Sequence, residues 1–294
     1  MKHAILGPGG VGGLVGACLA HSGEAVTLVM REASLARYPS RLQLESPFGN
    51  FTVDVSVSST VSPVDVLWIT VKATQLDAAL ASLRDGTSVG AIVPLLNGID
   101  HIAMLRERYR TDRVIAATIA VESERVAPGH IVHRSPFARL NVSSNGRSLL
   151  GAPVEQLQRM GFTCNFIDDE QTLLWTKLVF LGPVALNTTA ADQPVGQIRD
   201  DPALWYRLQS AVHEACAVAR QEGASVNADA VISTIKSLPA GSRSSMQKDV
   251  EKGNAPELEA IGGPILRGAR RHKIQIPVSE ELIATIERRI GARS

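Results

Sequence analysis

The chain begins with an apolar stretch that breaks into a glycine-rich loop, and this loop constrains the fold more than any other feature. The segment HAILG (3–7) has the composition of a short strand, and GVGGLVGACLAHSG (10–23) has the small and apolar residues of a helix. Gly7, Gly9 and Gly12 form G-x-G-x-x-G between them. A strand, this loop and a helix in that order predict the dinucleotide-binding turn of a Rossmann-type sheet.

Each residue of the loop has its own expected task. Gly7 permits the tight turn, Gly9 lets the backbone approach a pyrophosphate, and Gly12 lets the helix pack closely on the strand. The N–H groups at the start of the helix would face the phosphates at the positive end of its dipole. We therefore predict Gly7, Gly9, Gly10, Val11 and Gly12 as cofactor-binding residues. The alternative is an ordinary turn with surplus glycine.

Arg31 lies at the end of the second predicted strand, 19 residues after Gly12. A site for NAD(H) usually has Asp or Glu about 20 residues beyond the glycines, where its carboxylate binds the ribose 2′-hydroxyl. A guanidinium at this place pairs instead with a 2′-phosphate. Arg31 therefore predicts NADP(H) as the cofactor, whereas the adjacent Glu32 leaves NAD(H) as the alternative.

Strand-like and helical patterns alternate over the first part of the chain. Alternating residues predict a hairpin over 42–58, and the continuous apolar run VDVLWITVK (64–72) predicts a central parallel strand. The segment 112–135 predicts two strands around a Pro-Gly turn. After about residue 166 the pattern is helical throughout. The fold class predicted is therefore α/β, with an NADP-binding Rossmann domain over 1–166 and an all-helical domain over 167–294.

The second half contains apolar stripes at helical spacing. Gly182–Pro183 is expected to kink the first of its helices, and Asn227 is expected to cap a later one. The stripes fit packing within one chain or in a homodimer, and the sequence does not decide between these. The predicted helices cover 169–191, 201–223, 227–238, 257–273 and 279–291.

Composition excludes several classes of function. A net charge of +1 and an aromatic content of 4% provide neither a basic field nor a stacking surface for nucleic acid. No run free of both histidine and charged residues reaches the roughly 18 residues that a membrane helix needs, so no membrane partner is expected. The cysteines and histidines show no metal-ligand spacing. Widely spaced cysteines and a start unlike a signal peptide predict a cytoplasmic protein.

Three polar residues stand out against apolar surroundings. Lys72 ends one predicted strand, and Asn97 stands near the end of the next, AIVPLLNG (91–98). Ligands of open α/β sheets bind outside the carboxyl ends of strands, so both residues are predicted to face the nicotinamide side of the cofactor; the alternative is a helix cap or a turn residue. Lys177 lies within the apolar run LLWTKLVFL (173–181). Such a lysine either extends to water or is partly desolvated, which lowers its pKa and suits a proton donor.

Taken together, these motifs resemble the ketopantoate reductase (2-dehydropantoate 2-reductase) family over nearly the whole chain. The serine, aspartate, glutamate and glycine string in the second half is the most specific part of the resemblance. The matching residues are Gly7, Gly9, Gly12, Arg31, Val71–Lys72, Asn97–Gly98, Pro128–Gly129, His133, Trp175–Lys177, Ser244–Met246, Asp249, Glu257 and Gly262–Gly263.

The resemblance implies a reaction and a role for each residue. Hydride would pass from NADPH to the C2 carbonyl of a 2-keto acid, as in pantothenate biosynthesis. Lys177 would protonate the new alkoxide, and Ser245 would bind the substrate carboxylate. Glu257 would bind the distal hydroxyl of the substrate as a second catalytic residue and contact the cofactor. Lys72 and Asn97 would line the cofactor and substrate site.

One departure from the family pattern concerns the substrate. The family usually has Asn four and eight residues after the catalytic lysine, where this chain has Leu181 and Ala185. A less polar pocket would favour another carbonyl compound, since loss of hydrogen-bonding groups changes discrimination strongly. The alternatives to a ketopantoate reductase are therefore a related reductase with a less polar substrate and a non-catalytic NADP(H)-binding or sensing protein.

Overall fold

The computed structural model describes residues 1–84 and 86–291. The chain forms two compact units. The first, here called the sheet unit, comprises Met1–Leu96 and His101–Glu170. The second, here called the helical unit, comprises Asn97–Asp100 and the chain from Gln171 onward. The division into functional domains at residues 166 and 167 stays a prediction.

Strands are confined to the sheet unit among the described residues. They are β1 (Lys2–Leu6), β2 (Ala25–Val29), β3 (Arg41–Glu45), β4 (Phe51–Asp54), β5 (Ser56–Ser58), β6 (Val64–Ile69), β7 (Val89–Pro94), β8 (Ala117–Ala120), β9 (Ser123–Ala127), β10 (His130–His133), β11 (Arg139–Ser143) and β12 (Thr163–Ile167). The helices are α1 (Gly10–His21), α2 (Glu32–Leu35), α3 (Leu76–Leu80), α4 (His101–Arg108), α5 (Arg147–Arg159), α6 (Glu170–Ala191), α7 (Val195–Asp200), α8 (Pro202–Gln221), α9 (Ala228–Lys236), α10 (Ser245–Glu251), α11 (Leu258–His272) and α12 (Pro277–Gly291).

The main sheet is parallel, with the strand order β5-β2-β1-β6-β7. Successive side chains point to opposite faces of a strand, and here both faces are buried. Ile5 and Trp68 belong to the core on one face, whereas Leu6 and Ile69 belong to the core on the other. The α/β fold with a Rossmann-type sheet and a helical second half is confirmed.

Two smaller sheets accompany the main one. Their orders are β4-β3-β10-β9 and β12-β11-β8. The predicted hairpin is present as the antiparallel pair β3 and β4. Three strands form over 112–135 rather than two: the predicted pair around the Pro-Gly turn is present as β9 and β10, and β8 precedes it. The first of them, β8, pairs with β11 in a different sheet, so the chain changes sheets before β9 begins.

The helical unit is built around α6 and α8. Helix α6 continues through Pro183, although proline removes one helix hydrogen bond by its missing N–H. Asn227 caps α9 by accepting a hydrogen bond from the Ala230 N–H at 3.0 Å, as predicted. Asp201 caps α8 in the same way through the N–H groups of Ala203 and Leu204. Within the described part of the chain, no helix is long and apolar enough to cross a membrane.

Candidate active site

The glycine loop joins β1 to α1. Gly7 has φ of +91°, which favours glycine, and its N–H donates to the Val29 carbonyl at 3.0 Å. Gly9 precedes α1 and provides no capping side chain, and the first turn of α1 has no acidic residue. A Cβ on Gly9 would meet nothing nearer than the Gly7 carbonyl oxygen, at 4.0 Å. An uncapped helix start beside open space fits the phosphates of a dinucleotide.

The far side of the loop is packed tightly. A Cβ on Gly12 would overlap the hydroxyl of Thr70, and that hydroxyl donates to the Gly7 carbonyl at 2.8 Å. Gly10 lies against β9, where the Ser123 hydroxyl donates to the Gly10 carbonyl at 2.9 Å. Sequence reasoning missed this contact with β9. No local signal reveals it, because 113 residues separate the partners.

Arg31 and Lys72 follow the strands on either side of β1. Leu6 pairs with Val29 of β2 and with Ile69 of β6, so both residues lie just beyond strands that flank the loop. Arg31 is exposed, and its side chain forms no hydrogen bond or ion pair within residues 1–84 and 86–291. Lys72 is half-buried and precedes a short 3₁₀ turn. The two cations therefore lie on opposite sides of β1, each just beyond a strand that flanks the loop.

Asn97 and Glu257 meet in the helical unit. The Asn97 Nδ2 donates to Glu257 Oε2 at 2.9 Å, and only 6% of Glu257 is exposed. Gly98 adopts φ of +81° and lies so close to the Ala260 carbonyl that a Cβ would overlap it. Asp100 forms an ion pair with Arg267. The segment Asn97–Asp100 is thus fixed along α11, and Asn97 orients a buried carboxylate.

Lys177 lies on α6 within electrostatic reach of Glu257. It is half-buried, and its neighbours Trp175, Leu178 and Val179 are almost completely buried. Burial lowers the pKa of Lys177 to about 8, and the charge of Glu257 partly opposes this by raising it. The structure therefore brings Asn97, Glu257 and Lys177 together in the helical unit, where burial holds the pKa of the lysine well below its usual value.

The two serines of the specific string have different surroundings. Ser244 is buried, caps α10 through the Gln247 N–H at 3.1 Å, and its hydroxyl lies 2.8 Å from that of Thr188. Ser245 is exposed, and its hydroxyl has no hydrogen-bond partner among the described residues. Ser244 is therefore a structural residue, whereas the hydroxyl of Ser245 is available to a ligand.

The positions that depart from the family pattern also differ from each other. Leu181 is half-buried, whereas Ala185 is completely buried in the core of the helical unit. Asn187 is completely buried, donates to the Pro183 carbonyl at 2.9 Å and accepts from Arg207 at 3.1 Å. Only Leu181 therefore offers side-chain surface to a ligand, and Asn187 does not replace the missing amides.

Metal ligation has no support in residues 1–84 and 86–291, which contain no group of three or more His, Cys, Asp or Glu suited to a metal ion. Each cysteine is buried and unpaired, and burial raises the pKa of the Cys18 thiol to about 12.

Fold and site define a Rossmann-type protein with a helical second unit in which a lysine of lowered pKa interacts with a buried carboxylate. The family model described as Ketopantoate reductase PanE/ApbA matches residues 3–146, and the model of its C-terminal part matches residues 169–289. The chain belongs to the ketopantoate reductase family and is an oxidoreductase.

Individual relatives agree with this assignment. The chain is 28% identical to a 2-dehydropantoate 2-reductase of Caulobacter vibrioides, over 96% of this chain and 97% of the relative. It is similar to a PanE/ApbA family ketopantoate reductase structure from Ralstonia eutropha JMP134, with a TM-score of 0.88 and 25% identity over 100% and 99% of the two chains. A D-mandelate dehydrogenase with NADH and anilino(oxo)acetate shares the fold, with a TM-score of 0.86 and 19% identity over 99% of each chain.

Proposed function

We propose that this protein is an NADPH-dependent reductase of a 2-keto acid, with 2-dehydropantoate as the favoured substrate and pantoate as the product. The observation on which the proposal depends is the pair Lys177 and Glu257, in which burial lowers the pKa of the lysine to about 8. A lysine of that pKa can donate a proton to a carbonyl oxygen and regain one from water near neutral pH. The reaction would belong to pantothenate biosynthesis.

The sheet unit would hold the cofactor. Gly7, Gly9, Gly10, Val11 and Gly12 supply the turn and the helix N–H groups for the pyrophosphate. When bound, NADPH would supply the hydride for the C2 carbon of the substrate.

Arg31 and Lys72 would complete the cofactor site from the strands beside the loop. Arg31, exposed and free of a carboxylate partner in the described residues, would bind the 2′-phosphate. Lys72 would bind cofactor and substrate from the end of β6. Asn97 and Glu257 belong to the same proposal as cofactor contacts, since both are polar groups held in fixed orientation.

Lys177 would act as the general acid. Its Nζ would donate a proton to the carbonyl oxygen as negative charge develops there, and the ammonium would stabilise that charge before the transfer. Glu257 favours the protonated form of this acid and would accept a hydrogen bond from a hydroxyl of the substrate. Asn97 would keep the carboxylate in place, and Ser245 would donate a hydrogen bond to the substrate carboxylate.

The proposal is tested by NADPH oxidation with a panel of 2-keto acids, followed through the absorbance of the nicotinamide. The parent protein should reduce 2-dehydropantoate, and Lys177→Met should lose about 100-fold or more in kcat, the range for a general acid. Lys236→Met, which changes an exposed lysine at the end of α9, is the matched control and should keep parental activity. Unchanged kcat in Lys177→Met would disprove the role of the lysine.

Leu181 supports a second candidate, a reductase of a less polar 2-keto acid. Its half-buried apolar side chain lies one helical turn after Lys177. A branched or aromatic substrate would bury that surface, whereas a hydroxylated one would gain no hydrogen bond from it. A higher kcat/KM for such compounds than for 2-dehydropantoate would select this candidate. The non-catalytic alternative has no support from a chain that belongs to an oxidoreductase family.

A homodimer in the cytoplasm is also part of the proposal. Tyr206 of α8 is 73% exposed and is the most exposed of the large apolar side chains of the described residues. A second copy of the chain would cover such a side chain. Light scattering on the purified protein should give twice the monomer mass, and a monomer at all concentrations would contradict the dimer.

A further inference from the structure

The hydroxyl of Tyr38 links the glycine loop to β9 and β10. Tyr38 is 7% exposed, and its hydroxyl donates to the Pro8 carbonyl at 3.3 Å. Arg125 and the backbone of Gly129 lie close enough to the same phenol to lower its pKa, although burial raises that pKa overall. Pro8 lies between the first two glycines of the fingerprint. The Tyr38 hydroxyl therefore lies near both Arg125 and the Pro8 carbonyl of the loop.

A second contact positions β9 against the start of α1. The Ser123 hydroxyl donates to the Gly10 carbonyl at 2.9 Å, and a Cβ on Gly10 would overlap the Ser123 backbone. Side chains two residues apart on a strand project to the same face, so Arg125 shares the face of Ser123. Two independent contacts, through Ser123 and Tyr38, thus place Arg125 beside the phosphate-binding end of the loop.

The charge of Arg125 is not neutralised locally. Arg125 is exposed and forms no ion pair with a carboxylate in the part of the chain that the structure describes. The adjacent Glu124 pairs with Arg134 at 3.3 Å instead. A guanidinium with unused donors beside a helix start is suited to a phosphate, which it binds through charge-assisted hydrogen bonds.

We infer that Arg125 is a further cofactor-binding residue, which donates hydrogen bonds to a phosphate group of the dinucleotide, with Tyr38 as the residue that positions it. This inference rests on the proposed use of NADPH. It adds a second arginine to the site, from a strand 94 residues beyond Arg31 (125 − 31). The ligand chemistry is a phosphate, either the 2′-phosphate or the pyrophosphate.

Binding, not activity, tests the inference. The dissociation constants of NADPH and NADH are measured by nicotinamide fluorescence for the parent, Arg125→Gln and Arg125→Lys. Loss of a charge-assisted hydrogen bond should weaken NADPH binding by about ten-fold in Arg125→Gln, with partial recovery in Arg125→Lys. Tyr38→Phe keeps the arginine but removes the hydroxyl beside it, so this variant should weaken NADPH binding less than Arg125→Gln does. Arg159→Gln, an exposed arginine on α5, is the matched control.

Fragments of the cofactor distinguish the two phosphates. Calorimetric titration with adenosine 2′-monophosphate and with ADP shows which fragment loses affinity in Arg125→Gln, and loss for either supports the inference. Equal affinity of the parent and Arg125→Gln for NADPH and for both fragments would overturn it. A parent protein that binds neither NADPH nor NADH would overturn the proposed function itself, so the two failures are distinguishable.

Discussion

The Asn97 amide and the Glu257 carboxylate are joined by a 2.9 Å hydrogen bond across 160 residues of sequence. The amide fixes the position of a carboxylate that is almost completely buried. That carboxylate in turn raises the pKa of Lys177 against the larger effect of burial. Asn97 therefore influences Lys177, the proposed proton donor, through Glu257, even though Asn97 itself does not titrate.

Replacing Asn97 should impair catalysis through this carboxylate. Asn97→Ala leaves a buried charged acceptor without one of its donors, which costs about 1–3 kcal/mol. We expect kcat for NADPH-dependent reduction to fall by about ten-fold or more, and thermal unfolding to begin at a lower temperature. Steady-state kinetics and calorimetry measure the two effects. An Asn97→Ala variant with parental kcat and stability would show that this hydrogen bond contributes to neither catalysis nor stability.

The lowered pKa of Lys177 predicts the pH dependence of activity. In the proposed mechanism the protonated lysine is the active form, so kcat/KM should be level below pH 8 and should fall above it, where the lysine loses its proton. Glu257→Gln removes the charge that raises this pKa, and the descending limb should move to lower pH. If kcat/KM of Glu257→Gln falls at the same pH as that of the parent, Glu257 does not raise the pKa of Lys177.

The same group also predicts the pH dependence of stability. The pKa of Lys177 is about 8 in the folded protein and near 10.5 in the unfolded chain, so the unfolded chain binds more protons between these values. The free energy of unfolding contributed by Lys177 should therefore rise with pH across this window. Denaturant unfolding at several pH values measures it, and Lys177→Met should remove that increment.

Features formed by residues close together in the sequence could be predicted, whereas contacts between residues far apart in the sequence could not. The glycine loop, the β3–β4 hairpin and the Asn227 cap arise within a few residues, and their patterns predicted them. The contacts of Tyr38 and Ser123 with the loop were not predictable, because tertiary packing alone brings them together. Helical spacing placed Leu181 and Ala185 on the same face of α6. It could not show that Ala185 is completely buried whereas Leu181 is only half-buried.

Gly9 and Gly10 should respond differently to the same added methyl group. A Cβ on Gly9 enters open space, so Gly9→Ala should stay within about 1 kcal/mol of parental stability. If a pyrophosphate occupies that space, NADPH binding should weaken by more than about ten-fold. Gly10→Ala overlaps the backbone of Ser123 and should destabilise the fold by about 1–3 kcal/mol. Calorimetry and fluorescence titration separate the two effects, and parental NADPH affinity in Gly9→Ala would argue against the phosphate site.

Asparagine substitutions at Leu181 and Ala185 should have different effects, on substrate specificity at Leu181 and on stability at Ala185. Leu181 is half-buried at the edge of the core, so Leu181→Asn can present its amide to a substrate at a smaller folding cost than a substitution inside that core. We expect kcat/KM for 2-dehydropantoate to rise relative to an apolar 2-keto acid by about ten-fold, the scale of one or two pocket contacts. Ala185→Asn instead buries an amide in a closed core and should cost about 1–3 kcal/mol. An unchanged ratio of kcat/KM values in a well-folded Leu181→Asn would show that this side chain does not contact the substrate.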